Sequence, residues 1–210
     1  MHEIIYRDNI KTILEQEFSK VRDNLQIISA YCKKTALSYV DAKTFASPIT
    51  KRLMVRFCLE DILSGASDLE IYEYCKNNGW DLYIQLDLHA KTFIFDRKRW
   101  IVGSANLTSK GIGLVEDSNL EMAMLADIDA DEMFKINALF DKSTLMDDNI
   151  YTLMQKQVES TKTNKNVYLC EWENPIHDLI KKDIAVLFTQ DFPKSNSPRK
   201  LLYIPNAIVG

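Results

Sequence analysis

Apolar positions change their period along the 210 residues, and each change predicts an element. From Ile10 to Val21 (IKTILEQEFSKV), residues Ile10, Ile13, Leu14, Glu17, Phe18 and Val21 recur at helical spacing opposite a charged face. This predicts an amphipathic helix whose stripe lies in the core. Asn24 to Tyr31 (NLQIISAY) then reads as a strand of β-branched residues, Lys33 to Ala42 as a short helix, and Lys51 to Phe57 (KRLMVRF) as a second strand. Ser67 to Asn78 predicts a helix, with Ser67 and Glu70 as a capping box and Asn77-Asn78-Gly79 as its terminating turn. Trp80 to Leu86 is a third strand. Strands alternating with helical segments indicate an α/β sandwich with a mixed sheet.

The third strand runs into His89 to Asn106 (HAKTFIFDRKRWIVGSAN), which reads as a β-hairpin with a charged tip, Asp96-Arg97-Lys98-Arg99. Strand residues two apart share a face, so His89 and Lys91 pair on one arm and Ser104 and Asn106 on the other. Four polar groups therefore converge at one end of an apolar hairpin. Arg97, Lys98 and Arg99 at the other end are expected to form a solvated turn. Beyond the hairpin, Leu107 to Ser118, with Gly111 and Gly113, predicts a loop, and Asn119 to Ala126 a strand. Ala130 to Lys142 and Asp147 to Gln157 are helical, with Asp129 or Asp131 placed to favour the N-terminus of the first. Met133, Phe134, Ile136, Leu139 and Phe140 are expected in the core.

Polar composition from Ser160 to Asn166 predicts a linker or exposed loop. The tail Val167 to Gly210 holds a strand-like piece around Trp172, a short helix near Ile176 to Ile184, a bend at Pro193 to Pro198 and an apolar last segment. The expected organisation is a domain over 1–160, with 161–210 either extending it or beginning a second domain.

Composition narrows the class. An apolar content of 46% with 10% aromatics can fill a core, and a net charge of −4 excludes a uniformly positive surface while allowing a local basic groove. Cys32, Cys58, Cys75 and Cys170 form no Cys-x-x-Cys pair and have no histidine at zinc-ligand spacing, so free thiols in a reducing compartment are expected. The sequence shows neither a membrane-spanning apolar run nor a signal-peptide core at MHEIIYRDNI. A soluble, cytoplasmic protein is the expectation.

His89, Lys91, Asp96, Gly103, Ser104 and Asn106 stand in the spacing His-x-Lys-x4-Asp-x6-Gly-Ser-x-Asn. At background frequencies of about 5% per residue type, six fixed positions coincide about once in 10^8 starting points. The pattern resembles the phospholipase D superfamily and is present once. That resemblance implies an α/β/α sandwich with a mixed β-sheet and one such motif per chain. Many members also carry Asn-x-Glu on the following strand, its glutamate orienting the catalytic histidine. Asn119-Leu120-Glu121 matches the triplet, but the loop before it is about four residues longer than usual, so Asp117 or Glu116 are alternatives to Glu121.

The residue types suit phosphodiester chemistry without a metal or other cofactor. Neutral imidazole attacks phosphorus well, and its ordinary pKa of about 6.5 leaves much of it unprotonated at neutral pH. His89 is therefore the candidate nucleophile, giving a phosphohistidine intermediate. Lys91 and Asn106 would bind phosphoryl oxygens. Ser104 would donate to the phosphate or to a neighbouring side chain, and Asp96 is expected to be structural, bonded to hairpin backbone. One imidazole does not serve comfortably as nucleophile and acid in one step, and neither His2 nor His177 begins a second His-x-Lys. The resemblance thus implies a homodimer with two His89 rings facing each other.

Single-motif members resemble bacterial nucleases and restriction endonucleases, which makes nucleic acid, DNA first, the expected partner. Ser29 and Tyr31 end a strand, where ligands of α/β sheets gather. Lys33, Lys34, Lys51, Arg52 and Lys110 are candidate phosphate contacts on the rim, Lys110 the best placed. The alternatives are a lipid phosphodiesterase or transphosphatidylase, and a nucleic-acid-binding module without catalysis.

Overall fold

The computed structural model of the chain describes residues 2–163 and 171–180. Eight strands form one mixed sheet: β1 (His2–Tyr6), β2 (Asn24–Ser29), β3 (Thr50–Val55), β4 (Trp80–Ile84), β5 (Lys91–Phe95), β6 (Arg99–Gly103), β7 (Met122–Asp127) and β8 (Thr144–Leu145). Their order across the sheet is β1-β7-β6-β5-β2-β3-β4-β8. Strands β2, β3 and β4 run parallel, joined by helical crossovers, and the remaining neighbours pair antiparallel. One edge of the sheet therefore collects the ends of β2 and β6 and the beginnings of β5 and β7.

The main core lies on the face covered by α1 (Arg7–Lys20), α2 (Lys34–Lys43), α3 (Leu59–Leu63), α4 (Ile71–Asn78) and α6 (Asp148–Thr163). Phe18, from the predicted stripe of α1, is fully buried with its ring edge-on to Phe93 and Phe95, at centroid distances of 6.1 and 5.6 Å. Truncating a phenylalanine so placed costs about 3–5 kcal/mol. Glu17 in the same stripe is buried too, and both its oxygens accept from Arg99 Nη1 at 2.9 Å. Arg99 is thus not part of a solvated tip, although Arg97 and Lys98 beside it are exposed.

Among the described residues, α5 (Ala130–Lys142) is the helix on the other face, packed through Met133, Ile136 and Phe140 on Ile28, Met54 and Ile94. Asp129 caps this helix by accepting from Glu132 N–H at 2.8 Å, while the Glu132 carboxylate accepts from Asp129 N–H. Phe134 and Leu139 do not join the core: they are 74% and 43% exposed, on the side of the helix turned from the sheet. Ile4, Tyr6, Met122 and Met124, on the β1–β7 margin, are also exposed. They lie on one face, because Ile4 pairs with Met124 and Tyr6 with Met122.

Three further expectations change. Helix α4 begins at Ile71, not Ser67, and Ser67 caps nothing; its hydroxyl accepts from Cys32 N–H at 3.2 Å, joining two loops. Helix α6 continues through Ser160 to Thr163, where a polar loop was expected. Of the expected strand-like piece around Trp172, only residues 171–173 are described; they lie outside any strand and lead into α7 (Asn174–Leu179), and Trp172, Ile176 and Ile180 are buried in the main core. The expected bend at Pro193 to Pro198, the last apolar segment and Cys170 lie outside the described residues. Cys32, Cys58 and Cys75 are free. No helix among the described residues is long and apolar enough to cross a membrane.

Candidate active site

Four chain segments bring the motif to the collecting edge. Lys91 is the first residue of β5 and stands opposite Ser29, the last of β2. Ser104 follows β6 directly, and its N–H donates to Met122 O at 3.0 Å. Gly103 permits that approach: a Cβ there would lie 2.4 Å from Met122 O and 2.5 Å from Ala123 Cβ.

Asn106 is oriented by its carbonyl end. Its Oδ1 accepts from Tyr31 N–H at 3.1 Å, with Ser29 Oγ at 3.4 Å. Ser29 is buried, its hydroxyl donating to Tyr31 O at 2.6 Å and accepting from Leu107 N–H at 2.8 Å. These bonds tie the end of β2 to the segment after β6 and leave Asn106 Nδ2 without a partner among the described residues. Gly111 packs against the Asn106 backbone so closely that a Cβ would lie 2.2 Å from its carbonyl oxygen.

His89 lies in the loop before β5 rather than on the strand, is exposed, and makes no side-chain hydrogen bond among the described residues. Lys91 Nζ donates to the His89 carbonyl at 2.5 Å, which folds the two motif residues together. The Lys91 ammonium is held below the usual lysine pKa, first by burial and then by the positive charge of Arg56, with Glu121 opposing both.

Glu121 is buried just before β7. Its Oε2 accepts from Ser104 Oγ, and its Oε1 from Asn119 Nδ2 at 3.0 Å. The structure therefore joins Glu121 to Ser104, and the expected Glu121–His89 bond is not made. Asp117 is exposed in an ion pair with Lys110, and Glu116 is exposed as well.

The remaining candidates are scattered. Asp96 is at the opposite edge of the sheet, and its carboxylate accepts from the backbone N–H groups of Arg22, Asp23 and Asn24 at 2.8–3.1 Å. Its partner is the α1–β2 turn, not the hairpin backbone. Lys33 and Lys34 begin α2 beside Leu107, but Lys33 Nζ is paired with Asp68 and donates to Gly65 O, leaving Lys34 exposed. Lys51 and Arg52 begin β3, at the edge away from Lys91; Lys51 pairs with Asp41 and Arg52 lies over the Phe140 ring.

Sequence reasoning passed over Arg56. It follows β3 at the collecting edge, with Nε and Nη2 each 2.7 Å from an Asp61 oxygen and Nη2 3.1 Å from Tyr31 Oη. A charge closing the apolar run KRLMVRF was the available signal, of the same kind that marked Ser29 and Tyr31.

Fold and motif together define a phospholipase D-like protein. The chain belongs to that superfamily: residues 10–144 match the family described as cardiolipin synthase, PLD-like domain. Its members generally act on phosphodiester bonds. The fold is similar to that of NucT from Helicobacter pylori, at a TM-score of 0.50 and 13% identity, covering 68% of this chain and 94% of that one. It is also similar to that of Nuc, a phospholipase D family member from Salmonella typhimurium, at a TM-score of 0.50 and 14% identity, covering 67% and 91%. Phosphatidylserine synthase from Haemophilus influenzae Rd KW20 aligns at a TM-score of 0.57 and 10% identity, covering 82% of this chain but 45% of that one. A search of curated protein sequences gave no match.

Proposed function

We propose that this chain is a metal-independent phosphodiesterase acting on nucleic acid, a DNA endonuclease of restriction or defence type. The observation that carries the reading is the convergence of His89, Lys91, Ser104 and Asn106 on one sheet edge, with the Asn106 carbonyl end tied down and its Nδ2 free. That arrangement offers a nucleophile beside a cation and a neutral donor. An imidazole nitrogen of His89 forms a bond to phosphorus as the bond to the leaving alkoxide breaks. Lys91 and Asn106 stabilise the charge gathering on the non-bridging oxygens, an effect worth several kcal/mol where the donors are preorganised. Water then attacks the phosphohistidine, releasing His89 and the product phosphate.

The leaving alkoxide needs a proton, and no second histidine of this chain lies at the site. His2 begins β1 opposite Ala126, at the edge away from Met122, and His177 lies on α7. A second copy supplies the acid in our reading, its His89 facing the first across a two-fold axis. The apolar margin of Tyr6 and Met122, adjoining Glu121, supports a partner there. Nucleic acid is favoured over lipid by the likeness in fold to NucT and Nuc, which covers nearly the whole of those two chains.

The test is incubation with plasmid, single-stranded DNA, RNA and phospholipid vesicles in EDTA, with product ends mapped. Cleavage of DNA that persists in chelator supports the reading. A strict requirement for magnesium overturns the mechanism, and turnover of lipid alone overturns the substrate.

A further inference from the structure

Arg56 is fixed from three sides. Its backbone N–H reaches Ala30 O at 3.4 Å, one residue beyond the row in which Val55, Ser29 and Lys91 stand side by side. Its guanidinium makes a two-point pair with the buried Asp61 carboxylate, donates to Tyr31 Oη, and lies 5.0 Å over the Tyr31 ring. The next residue, Phe57, is buried at a φ of 45°, and its carbonyl accepts from Trp172 Nε1 at 2.6 Å. A non-glycine residue at positive φ is strained and persists where its surroundings enforce it. Here a buried ring and a buried indole hold the turn that presents Arg56.

We infer that Arg56 is a positioning residue for the phosphate site, acting through Tyr31 on Asn106. The Tyr31 ring is clamped beneath the guanidinium, and the Tyr31 N–H makes the shorter of the two bonds that fix Asn106 Oδ1, the other coming from Ser29 Oγ. Fixing that oxygen decides which way the amide presents its Nδ2. With Arg56 removed, the ring and its backbone are free to shift, and Asn106 is left with the longer bond from Ser29 Oγ to set its orientation. Lysine does not substitute, because a point charge on a flexible stem has neither the fork that matches a carboxylate nor the plane that stacks on a ring. The charge of Arg56 also reaches Lys91, whose proton is loosened first by burial and then by Arg56, against Glu121.

This inference rests on the phosphodiesterase reading for its activity readout, so the experiment has one arm that does not. Wild type, Arg56→Ala, Arg56→Lys, Asn106→Ala and the Arg56→Ala/Asn106→Ala pair are assayed on bis(p-nitrophenyl) phosphate in chelator, after thermal melts show which are folded. Both Arg56 variants are expected to lower kcat roughly ten- to a hundredfold, the scale of a small misplacement of a binding group. The double variant should be no slower than Asn106→Ala, since neighbours acting in series are not additive. The alkaline limb of kcat should move to higher pH in Arg56→Ala and stay in Arg56→Lys, which separates charge from orientation. If Arg56→Ala does not fold, Arg56→Lys carries the kcat comparison, with its own double variant. Full additivity with Asn106→Ala, or wild-type kcat in the Arg56 variants, overturns the inference. If the wild type turns over nothing, the function reading fails, and the Asn106 side-chain amide signals in 15N spectra still decide: a shift in the Arg56 variants supports the inference, and unchanged signals overturn it.

Discussion

Lys91 and Asp96 belong to one motif and lie at the two ends of a single strand, so they serve opposite edges of the sheet. Lys91 stands beside Ser29 at the site, and Asp96 gathers three backbone N–H groups from the α1–β2 turn. The motif therefore records two separate demands, one chemical and one architectural.

Replacing Asp96 by alanine should lower stability by about 1–3 kcal/mol, because it leaves donors of a tight turn unsatisfied. Burial alone would raise the Asp96 pKa, but the bonds from Asn24, Asp23 and Arg22 outweigh it and hold the carboxyl below its usual value. A depressed folded pKa means the stabilisation is complete above the unfolded value of about 4 and is lost as pH falls through the folded value. Urea midpoints of wild type and Asp96→Ala should therefore differ at pH 7 and draw together only as pH falls below the ordinary carboxyl range.

His89→Ala should abolish turnover and leave the melting curve nearly unchanged. The side chain is exposed and bonded to nothing among the described residues, and surface substitutions of that kind stay within about 0.5 kcal/mol. Wild-type turnover in this variant would remove His89 from its proposed role.

Gly111→Ala places a methyl group 2.2 Å from the Asn106 carbonyl oxygen, so the loop must move. The expected result is a loss of activity of roughly tenfold or more, the scale set by small displacements of a binding group. Rates measured beside thermal melts will show whether the loss exceeds any fall in folded fraction.

Arg99→Ala should destabilise by about 1–3 kcal/mol, because Glu17 would stay buried with Lys20 as its remaining cation. Chemical denaturation checks this. Arg97→Ala, whose partner Asp23 is 3.4 Å away on the surface, should change stability by less than about 1 kcal/mol.

Long segments with a strong period were legible because their burial follows from spacing alone. The stripe of α1, the β2 and β3 strands and the hairpin are examples, and the motif pointed to the edge where His89, Lys91, Ser104 and Asn106 meet. What escaped depends on partners remote in sequence. Strand β1 buries only Ile5 and exists because β7, more than a hundred residues later, offers its edge. Helix α3 and strand β8 are too short to show a period. Phe134 and Leu139 fit a core pattern and point outward, since among the described residues α5 packs on the sheet through its other side. Ser67 has a cap's sequence signature, but Cys32 claims its hydroxyl from another loop. Arg56 gains its meaning from Tyr31 and Asp61, and His89 lost its strand position because the ladder begins at Lys91.

The indole of Trp172 grips the bend after β3 from 115 residues away, so the segment leading into α7 works as a latch on the loop that presents Arg56. Trimming the protein back to residue 160 would strip that latch and uncover the Phe57 carbonyl. A shortened version could keep every motif residue and still align its amide and its lysine poorly.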